Sequence, residues 1–154
     1  MRKEIKILVT ILGFLICQMQ AISQKPNYSG TWKINLQKSR FEANWTKGLT
    51  DGEFTIIQIA DKFKWSRYFI INGKKSKLRF NLIADGKVRR KKMLLFKSKL
   101  EWIGDMLKAQ IFRNGFSNVV EYKFGETKNE LIIDEVFVGR PQDYHNHYVL
   151  DKVE

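Results

Sequence analysis

Residues 27–41 read NYSGTWKINLQKSRF and give the clearest indication of the fold. From Gly30 to Gln37 apolar and polar residues alternate, which is the period of a strand with one buried face. The buried face is predicted to carry Trp32, Ile34 and Leu36. Polar residues then follow, and we expect them to end the strand, with a short helix best placed in SRFEANWTKG, residues 39–48.

The rest of the chain repeats this β pattern. Short segments rich in Ile, Val, Phe, Tyr, Trp and Thr alternate with turn signals, which favours an all-β sandwich or barrel. Three signals, Asn72-Gly73, Asp85-Gly86 and Asn114-Gly115, are typical of two-residue hairpin turns. Gly104-Asp105 and residues 126–129 predict two further reversals. Strands are predicted at 30–37, 53–60, 63–71, 76–84, 88–97, 99–103, 106–113, 116–124, 130–138 and 144–152.

Tight hairpins between consecutive strands predict an up-and-down antiparallel arrangement. We therefore expect one all-β domain over residues 24–154, built as a single antiparallel barrel of about eight to ten strands. Closure into a barrel would remove the exposed edges of such a sheet. We expect the domain to be a monomer.

The N-terminal residues predict export. Arg2, Lys3 and Lys6 precede a mostly apolar run over residues 7–17, and small residues follow at Ala21 and Ser23. This is the layout of a secretory signal peptide over residues 1–23, cleaved after Ser23, which predicts a periplasmic or secreted mature protein. Lipidation at Cys17 is the alternative, but bulky Ile16 stands directly before that cysteine.

The charge of the chain is strongly positive. It has 28 Lys and Arg against 16 Asp and Glu, a net charge of +12 at pH 7. Such an excess favours anionic partners, and in an exported protein an anionic envelope surface is expected rather than nucleic acid. The alternative is a solvated basic surface that keeps the protein in solution. Cys17 is the single cysteine and leaves with the leader, so no thiolate site is expected in the mature protein.

Several motifs resemble those of small exported bacterial lipocalin-like proteins. They are SGTWKINLQKSRF, FTIIQIADKFKW, INGKK and LEWIGDMLKAQ. Gly30 and Trp32 match the Gly-x-Trp pair of the lipocalin and fatty-acid-binding-protein group, in which the Trp closes one end of the barrel. Asn35, Lys38, Ser39 and Phe41 match the string that follows in the bacterial proteins. The resemblance implies a calycin-type barrel and an extracytoplasmic location.

One departure limits what the resemblance implies about ligands. Intracellular fatty-acid-binding proteins use an Arg-x-Tyr pair on the last strand to hold a carboxylate. Here the last strand reads YHNHYVLDKVE and contains no Arg. That ligand site therefore does not carry over.

Polar residues interrupt the apolar faces of three predicted strands. They are Arg67, Asn118 and Glu135. A buried charge needs a partner, and a ligand with an anionic group would supply one for Arg67, with Asn118, Tyr122 and Glu135 nearby. The walls of this predicted ligand site are Trp65, Phe80, Trp102 and Phe112. The alternative is that Arg67 and Glu135 form an internal ion pair, or that a bulge turns one of them outward.

Two other sets of residues are candidate sites. The run KVRRKK, residues 87–92, contains Arg89, Arg90, Lys91 and Lys92, which are predicted to contact anions at the barrel mouth or on the envelope. In DYHNHY the side chains of Asp143, His145 and His147 share one face, but a third clear ligand is missing, so no metal is assigned.

Nothing in the sequence predicts catalysis. It contains no Gly-x-Ser-x-Gly elbow, no His-Glu-x-x-His and no phosphate-binding glycine loop, and Asp134 and Glu135 point to opposite faces of one strand. We expect a non-enzymatic barrel without a cofactor that binds a small apolar or amphipathic ligand. The alternative is an envelope interaction protein, with a barrel filled by its own aromatic residues and a basic surface on an anionic partner.

Overall fold

The structure, a computed structural model, describes residues 25–91 and 96–153. The predicted leader, Cys17 and Lys92 lie outside the described residues. The described residues form ten strands: β1 (Gly30–Ile34), β2 (Leu49–Ile59), β3 (Lys62–Ile71), β4 (Lys74–Ile83), β5 (Arg89–Lys91), β6 (Phe96–Ile103), β7 (Met106–Arg113), β8 (Phe116–Phe124), β9 (Glu130–Gly139) and β10 (Tyr144–Val153). No helix in these two ranges is long and apolar enough to span a membrane.

The strands form one antiparallel sheet in the order β4-β3-β2-β1-β10-β9-β8-β7-β6-β5. Each strand pairs with its sequence neighbours, except that β1 joins β10 and the sheet ends at β4 and β5. This up-and-down arrangement confirms the predicted fold class. The sheet curls, but within the described residues no hydrogen-bonded ladder joins β4 to β5, so closure of the ladder is not seen there.

Most turns form where the sequence predicts them. Asn72 and Gly73 connect β3 to β4 with φ angles of 49° and 74°, the left-handed conformation that this dipeptide favours. Asn114-Gly115 and Gly104-Asp105 also close two-residue hairpins. The prediction for Asp85-Gly86 is wrong, because β4 and β5 are not paired and Gly86 N instead donates to Leu100 O.

The predicted strands at 88–97 and 99–103 differ from the observed ones. The structure has a three-residue β5 and an unbroken β6 that begins at Phe96. The predicted break at Ser98 is wrong, because Ser98 lies on the inner face of β6, two residues before Leu100, and both are buried. Strand alternation therefore continues through Ser98.

One end of the barrel is filled by its own side chains and is called the closed end. Trp32 is fully buried there, and its Nε1 donates to Tyr28 O at 3.0 Å. Tyr28 stacks on Trp102 with ring centroids 5.9 Å apart and packs against Phe124 at 4.8 Å. A Cβ at Gly30 would lie 3.1 Å from Lys152 Cε, and φ is +148°, which explains the glycine of the Gly-x-Trp pair.

The connection between β1 and β2 covers the opposite end. Its Phe41 ring packs edge-on against Tyr148 at 5.3 Å, and Trp45, in a short 3₁₀ turn over Asn44–Thr46, contacts Phe69 at 5.4 Å. The predicted inward position of Leu36 is wrong. β1 ends at Ile34, so alternation stops and Leu36 is 38% exposed.

Candidate functional site

Between the closed end and the β1–β2 connection lies a cavity of about 170 Å³. Its lining comes from both halves of the sheet and is mainly aliphatic and aromatic. The lining residues are Phe54, Trp65, Arg67, Leu78, Phe80, Leu82, Ala109, Ile111, Asn118, Val120, Tyr122, Ile133, Glu135 and Tyr148. An apolar lining with a few convergent polar groups is typical of a small-molecule site.

Strand alternation explains why these polar residues meet. Arg67 follows Phe63 and Trp65 on the inner face of β3, and both of those are buried. Asn118 and Glu135 occupy the inner faces of the paired strands β8 and β9. The structure thus brings together the three polar residues predicted from the sequence. Pairing is continuous along β3, β8 and β9 at these positions, so no bulge turns any of the three outward.

Glu135 is the polar centre of the cavity. It is only 2% exposed, yet both of its carboxylate oxygens accept hydrogen bonds. Asn118 Nδ2 donates to Oε1 at 2.9 Å, and Tyr148 Oη and Asn146 Nδ2 donate to Oε2 at 2.8 and 3.3 Å. These donors compensate the loss of water around a buried carboxylate. Glu135 is therefore held in place by the protein itself.

Asn146 connects this network to the β1–β2 connection. The side chain is fully buried, and its Oδ1 accepts hydrogen bonds from the backbone N–H groups of Glu42 at 3.0 Å and Ala43 at 3.2 Å. The connection that covers the cavity is thus hydrogen-bonded, through one amide, to the carboxylate inside it. Neither Asn146 nor Tyr148 was predicted as a site residue. Splitting β10 into two faces would have shown Asn146 as a polar residue on the apolar face.

Arg67 has no comparable set of partners. Its guanidinium lies over the Phe69 ring, 4.9 Å from the centroid. Among the described residues it makes no hydrogen bond and no ion pair, so the alternative of an internal Arg67–Glu135 bridge is not observed. Arg67 is half-buried as a residue, and a guanidinium with five unused N–H donors is suited to a carboxylate or another planar anion.

Two further polar atoms near the cavity lack partners. Asn118 Oδ1 and Trp65 Nε1 are both buried without a hydrogen bond to any described residue. One is an acceptor and the other a donor, and each belongs to a cavity-lining residue. The cavity wall thus retains unused capacity for hydrogen bonding of both kinds.

Burial keeps the tyrosines around the cavity in their neutral form. Burial and the charge of Glu135 raise the pKa of Tyr148 well above its ordinary value. For Tyr122, burial raises the pKa, and Arg67 only partly offsets this effect. Both phenols therefore remain hydrogen-bond donors near neutral pH.

Two of the four predicted walls lie elsewhere. Trp65 and Phe80 line the cavity, facing each other in the β3–β4 ladder. Trp102 packs at the closed end against Tyr28 and Phe63. Phe112 is wrong as a wall because alternation on β7 turns Ala109 and Ile111 inward, and Ile111 takes the predicted place.

The two histidines contact a carboxylate other than the predicted Asp143. On the outer face of the barrel, His147 Nδ1 and His145 Nε2 lie 2.7 and 3.4 Å from Asp134 Oδ1. Burial opposes ionisation of Asp134, but the His147 hydrogen bond and the charges of His147 and Lys123 outweigh it, so the Asp134 pKa is lower than usual. In the part of the chain that the structure describes, no group of three or more His, Cys, Asp or Glu side chains is arranged so that it could hold a metal ion.

The predicted anion-contacting run is only partly available. Arg89 donates to both carboxylate oxygens of Asp85, and this contact holds the Asp85 pKa below its usual range. Arg90 is exposed, Lys91 belongs to β5, and Lys92 lies outside the described residues. Arg89 is therefore already paired with an acid four residues before it.

No protein-family model and no curated protein matches the sequence. Among solved structures, human cRBP IV has a TM-score of 0.57 at 13% identity, covering 83% of this chain and 99% of its own. The zebrafish ileal bile acid-binding protein complexed with cholic acid gives 0.54 at 16% identity, over 82% and 98% of the two chains. A secretary abundant heat soluble (SAHS) protein from Ramazzottius varieornatus gives 0.55 at 17%, over 82% and 95%. The fold is therefore lipocalin-like, of the fatty-acid-binding-protein type.

Proposed function

We propose that the barrel interior binds a small apolar or amphipathic ligand whose anionic group is held by Arg67. The observation that carries this proposal is the Arg67 guanidinium, which borders an apolar cavity and has no hydrogen-bond or ion-pair partner among the described residues. An anion there would form charge-assisted hydrogen bonds, which are about twice as strong as neutral ones.

The unused polar atoms support the same proposal. A buried polar group without a partner costs about 1–3 kcal/mol. Asn118 Oδ1 and Trp65 Nε1 are both in this state among the described residues. A ligand that carries a donor and an acceptor beside its apolar part would satisfy these atoms on binding.

The cavity volume limits the size of the ligand. Drug-sized ligands occupy pockets of about 300–1,000 Å³, whereas an engineered apolar cavity of about 150 Å³ binds benzene. At about 170 Å³ the cavity matches a short amphipathic acid. A longer chain would extend toward β4, where the lining residue Leu78 is 40% exposed and the sheet ends.

Structural neighbours support the broader part of the proposal. They include a bile acid-binding protein in complex with cholic acid and a protein described as a fatty acid transporter.

We propose a non-enzymatic role because both oxygens of Glu135 already accept hydrogen bonds from the protein. We also propose that the ligand is met outside the cytoplasm, since residues 1–23 have the charge and hydropathy pattern of a signal peptide.

The test compares two ligands of equal chain length, octanoate and octanol, by titration calorimetry. The wild-type protein is expected to bind octanoate more tightly than octanol. Arg67→Met keeps the apolar stem and removes the charge, so octanoate affinity should fall about ten- to a hundredfold, while octanol affinity stays within about threefold. Arg113→Met is the matched control, because Arg113 also lies over a phenylalanine ring, that of Phe116, but on an exposed position outside the cavity.

Three results would contradict the proposal in different ways. Equal octanoate affinity for Arg67→Met and wild type would remove Arg67 from the site. An equal loss in Arg113→Met would show that only net charge matters. If wild type binds neither compound and native mass spectrometry finds no uptake from a lipid extract, the interior is filled and the protein is not a carrier.

A further inference from the structure

The hairpin formed by β3 and β4 has an unusual charge composition. Residues 62–84 contain seven Lys and Arg and no Asp or Glu. All 16 acidic residues of the chain lie outside this segment and outside residues 86–100, which carry another seven Lys and Arg. The β3–β4 hairpin thus carries a net charge of +7 at one end of the sheet, with no acidic side chain of its own to offset it.

Most of these cations lie on the outer side of the hairpin. The basic face consists of Lys62, Lys64, Lys75, Lys77 and Arg79, all exposed. No ion pair involves any of these five side chains within residues 25–91 and 96–153. Lysines of other strands do have acidic partners, as in Lys108–Glu121 at 2.9 Å. The basic face therefore keeps its charge available for an external anion.

Exposed isoleucines continue the same surface. Ile57, Ile59 and Ile83 are 49%, 64% and 36% exposed. In the sheet register, Lys62 stands between Ile59 and Ile83, and Lys64 stands beside Ile57. Apolar and basic side chains thus alternate across three adjacent strands at one end of the outer face.

We propose that the basic face, together with Ile57, Ile59 and Ile83, docks on the surface of an anionic lipid membrane. Lysine and arginine near an anionic bilayer are attracted to its surface potential. Exposed apolar side chains add affinity by entering the interface between head groups and acyl chains. A soluble polyanion would use the cations but give the three isoleucines no partner, so the pairing of both kinds of side chain favours lipid.

Strand β4 belongs both to the cavity wall and to the basic face. The inner side of β4 contributes Leu78, Phe80 and Leu82 to the cavity, and its outer side contributes Lys75, Lys77 and Arg79 to the basic face. A docked molecule would hold the cavity one strand away from the lipid. Docking does not depend on the proposed ligand binding, because none of the basic-face residues lines the cavity.

The test is sedimentation of the protein with vesicles of phosphatidylcholine alone or mixed with phosphatidylglycerol at a ratio of about 7:3. Wild type should bind the mixed vesicles, bind the neutral ones weakly, and dissociate as salt rises. The double change Lys62→Glu and Lys64→Glu should lower partitioning by at least about 25-fold, taking about fivefold for each cation. The matched control, Lys97→Glu with Lys128→Glu, makes the same charge change at two exposed positions elsewhere and should cost less than about threefold.

A second variant separates lipid from soluble polyanions. Ile57→Thr with Ile59→Thr keeps β-branched residues and all charges, and it should weaken vesicle binding about tenfold without changing retention on dextran sulfate. The proposal is overturned if the Lys62/Lys64 variant binds mixed vesicles as wild type does. It is also overturned if the isoleucine variant binds vesicles normally, because the surface would then recognise a polyanion through charge alone. A matching urea midpoint for all variants excludes unfolding as the cause.

Discussion

The closed end and the cavity are built from the same strands but differ in how their polar atoms are satisfied. At the closed end Trp32 Nε1 donates to Tyr28 O, and the single hydroxyl proton of Tyr28 has two acceptors in reach, Asp105 O at 2.7 Å and Tyr122 O at 3.0 Å. Trp102 is an exception there, because its buried Nε1 has no hydrogen-bond partner among the described residues. At the cavity, Arg67 and Asn118 Oδ1 have no hydrogen-bond partner among the described residues.

This contrast links the closed end to the stability of the fold and the cavity to ligand binding. A region that only stabilises the fold gains by filling space and satisfying each donor and acceptor. A region that binds a ligand must leave some groups without protein partners. Burial raises the pKa of Tyr28 to about 12, so its hydroxyl remains a donor at the closed end throughout the physiological range.

The largest effect is expected from Trp32→Ala. Trp32 is fully buried, and its removal leaves a large cavity beside Phe124. It also takes away the indole N–H that donates to the carbonyl oxygen of Tyr28. The free energy of unfolding, measured with urea, should fall by about 3–5 kcal/mol. Trp45→Ala is the control, because Trp45 is 37% exposed and should cost less than half as much. Similar losses in both variants would show that the closed end is not the main source of stability.

Within the cavity, Tyr148→Phe should have an intermediate effect. The change removes the hydroxyl that donates to Glu135 Oε2 at 2.8 Å and keeps the buried ring. A hydrogen bond to a charged group contributes about 1.5–3 kcal/mol, so unfolding free energy should drop by that amount. Tyr68→Phe is the control, since the Tyr68 hydroxyl lies 3.5 Å from Asp51 and should change stability by less than about 0.5 kcal/mol. If Tyr148→Phe leaves the free energy of unfolding unchanged, the hydrogen bonds from Asn118 and Asn146 are sufficient for Glu135.

The sequence predicted what depends on strand alternation. Trp32 and Ile34 are buried as expected, and Arg67, Asn118 and Glu135 meet in one interior because each interrupts an apolar face of period two. Turn dipeptides such as Asn72-Gly73 were equally informative, because they require left-handed φ angles that few residues adopt.

Features that depend on partners distant in sequence were missed. Asp85-Gly86 has the composition of a hairpin turn, but β4 and β5 end opposite sides of the sheet, and no local pattern shows that. The partner of the histidines is Asp134 rather than Asp143, because the register of β9 against β10 places His147 opposite Asp134. Phe112 is a different kind of error, because alternation with Leu107 and Ala109 along β7 already places Ile111 rather than Phe112 on the inner face.

The smallest effect is expected outside the cavity wall, at Asp134. Asp134 and Glu135 are neighbours on β9, but Asp134 faces outward and contacts His145, His147 and Lys123. Its pKa is lower in the folded protein than its ordinary value. The stabilisation is therefore present above the unfolded-state pKa of about 3.9 and is lost as pH falls through the lower folded value.

Asp134→Asn should therefore lower the free energy of unfolding by about 0.5–1 kcal/mol at pH 7, the range of partly exposed ion pairs. Urea titrations from pH 7 to about pH 2 should show the difference from wild type shrinking below about pH 5, because the wild-type carboxylate then becomes protonated. Asp61→Asn, at an exposed carboxylate 3.5 Å from Lys25, is the control and should have less effect at every pH. If the difference in unfolding free energy between Asp134→Asn and wild type persists at the lowest pH, Asp134 stabilises β9 by packing. The outer face of β9 would then be stabilised by packing, as the closed end is, and not by the charge of Asp134.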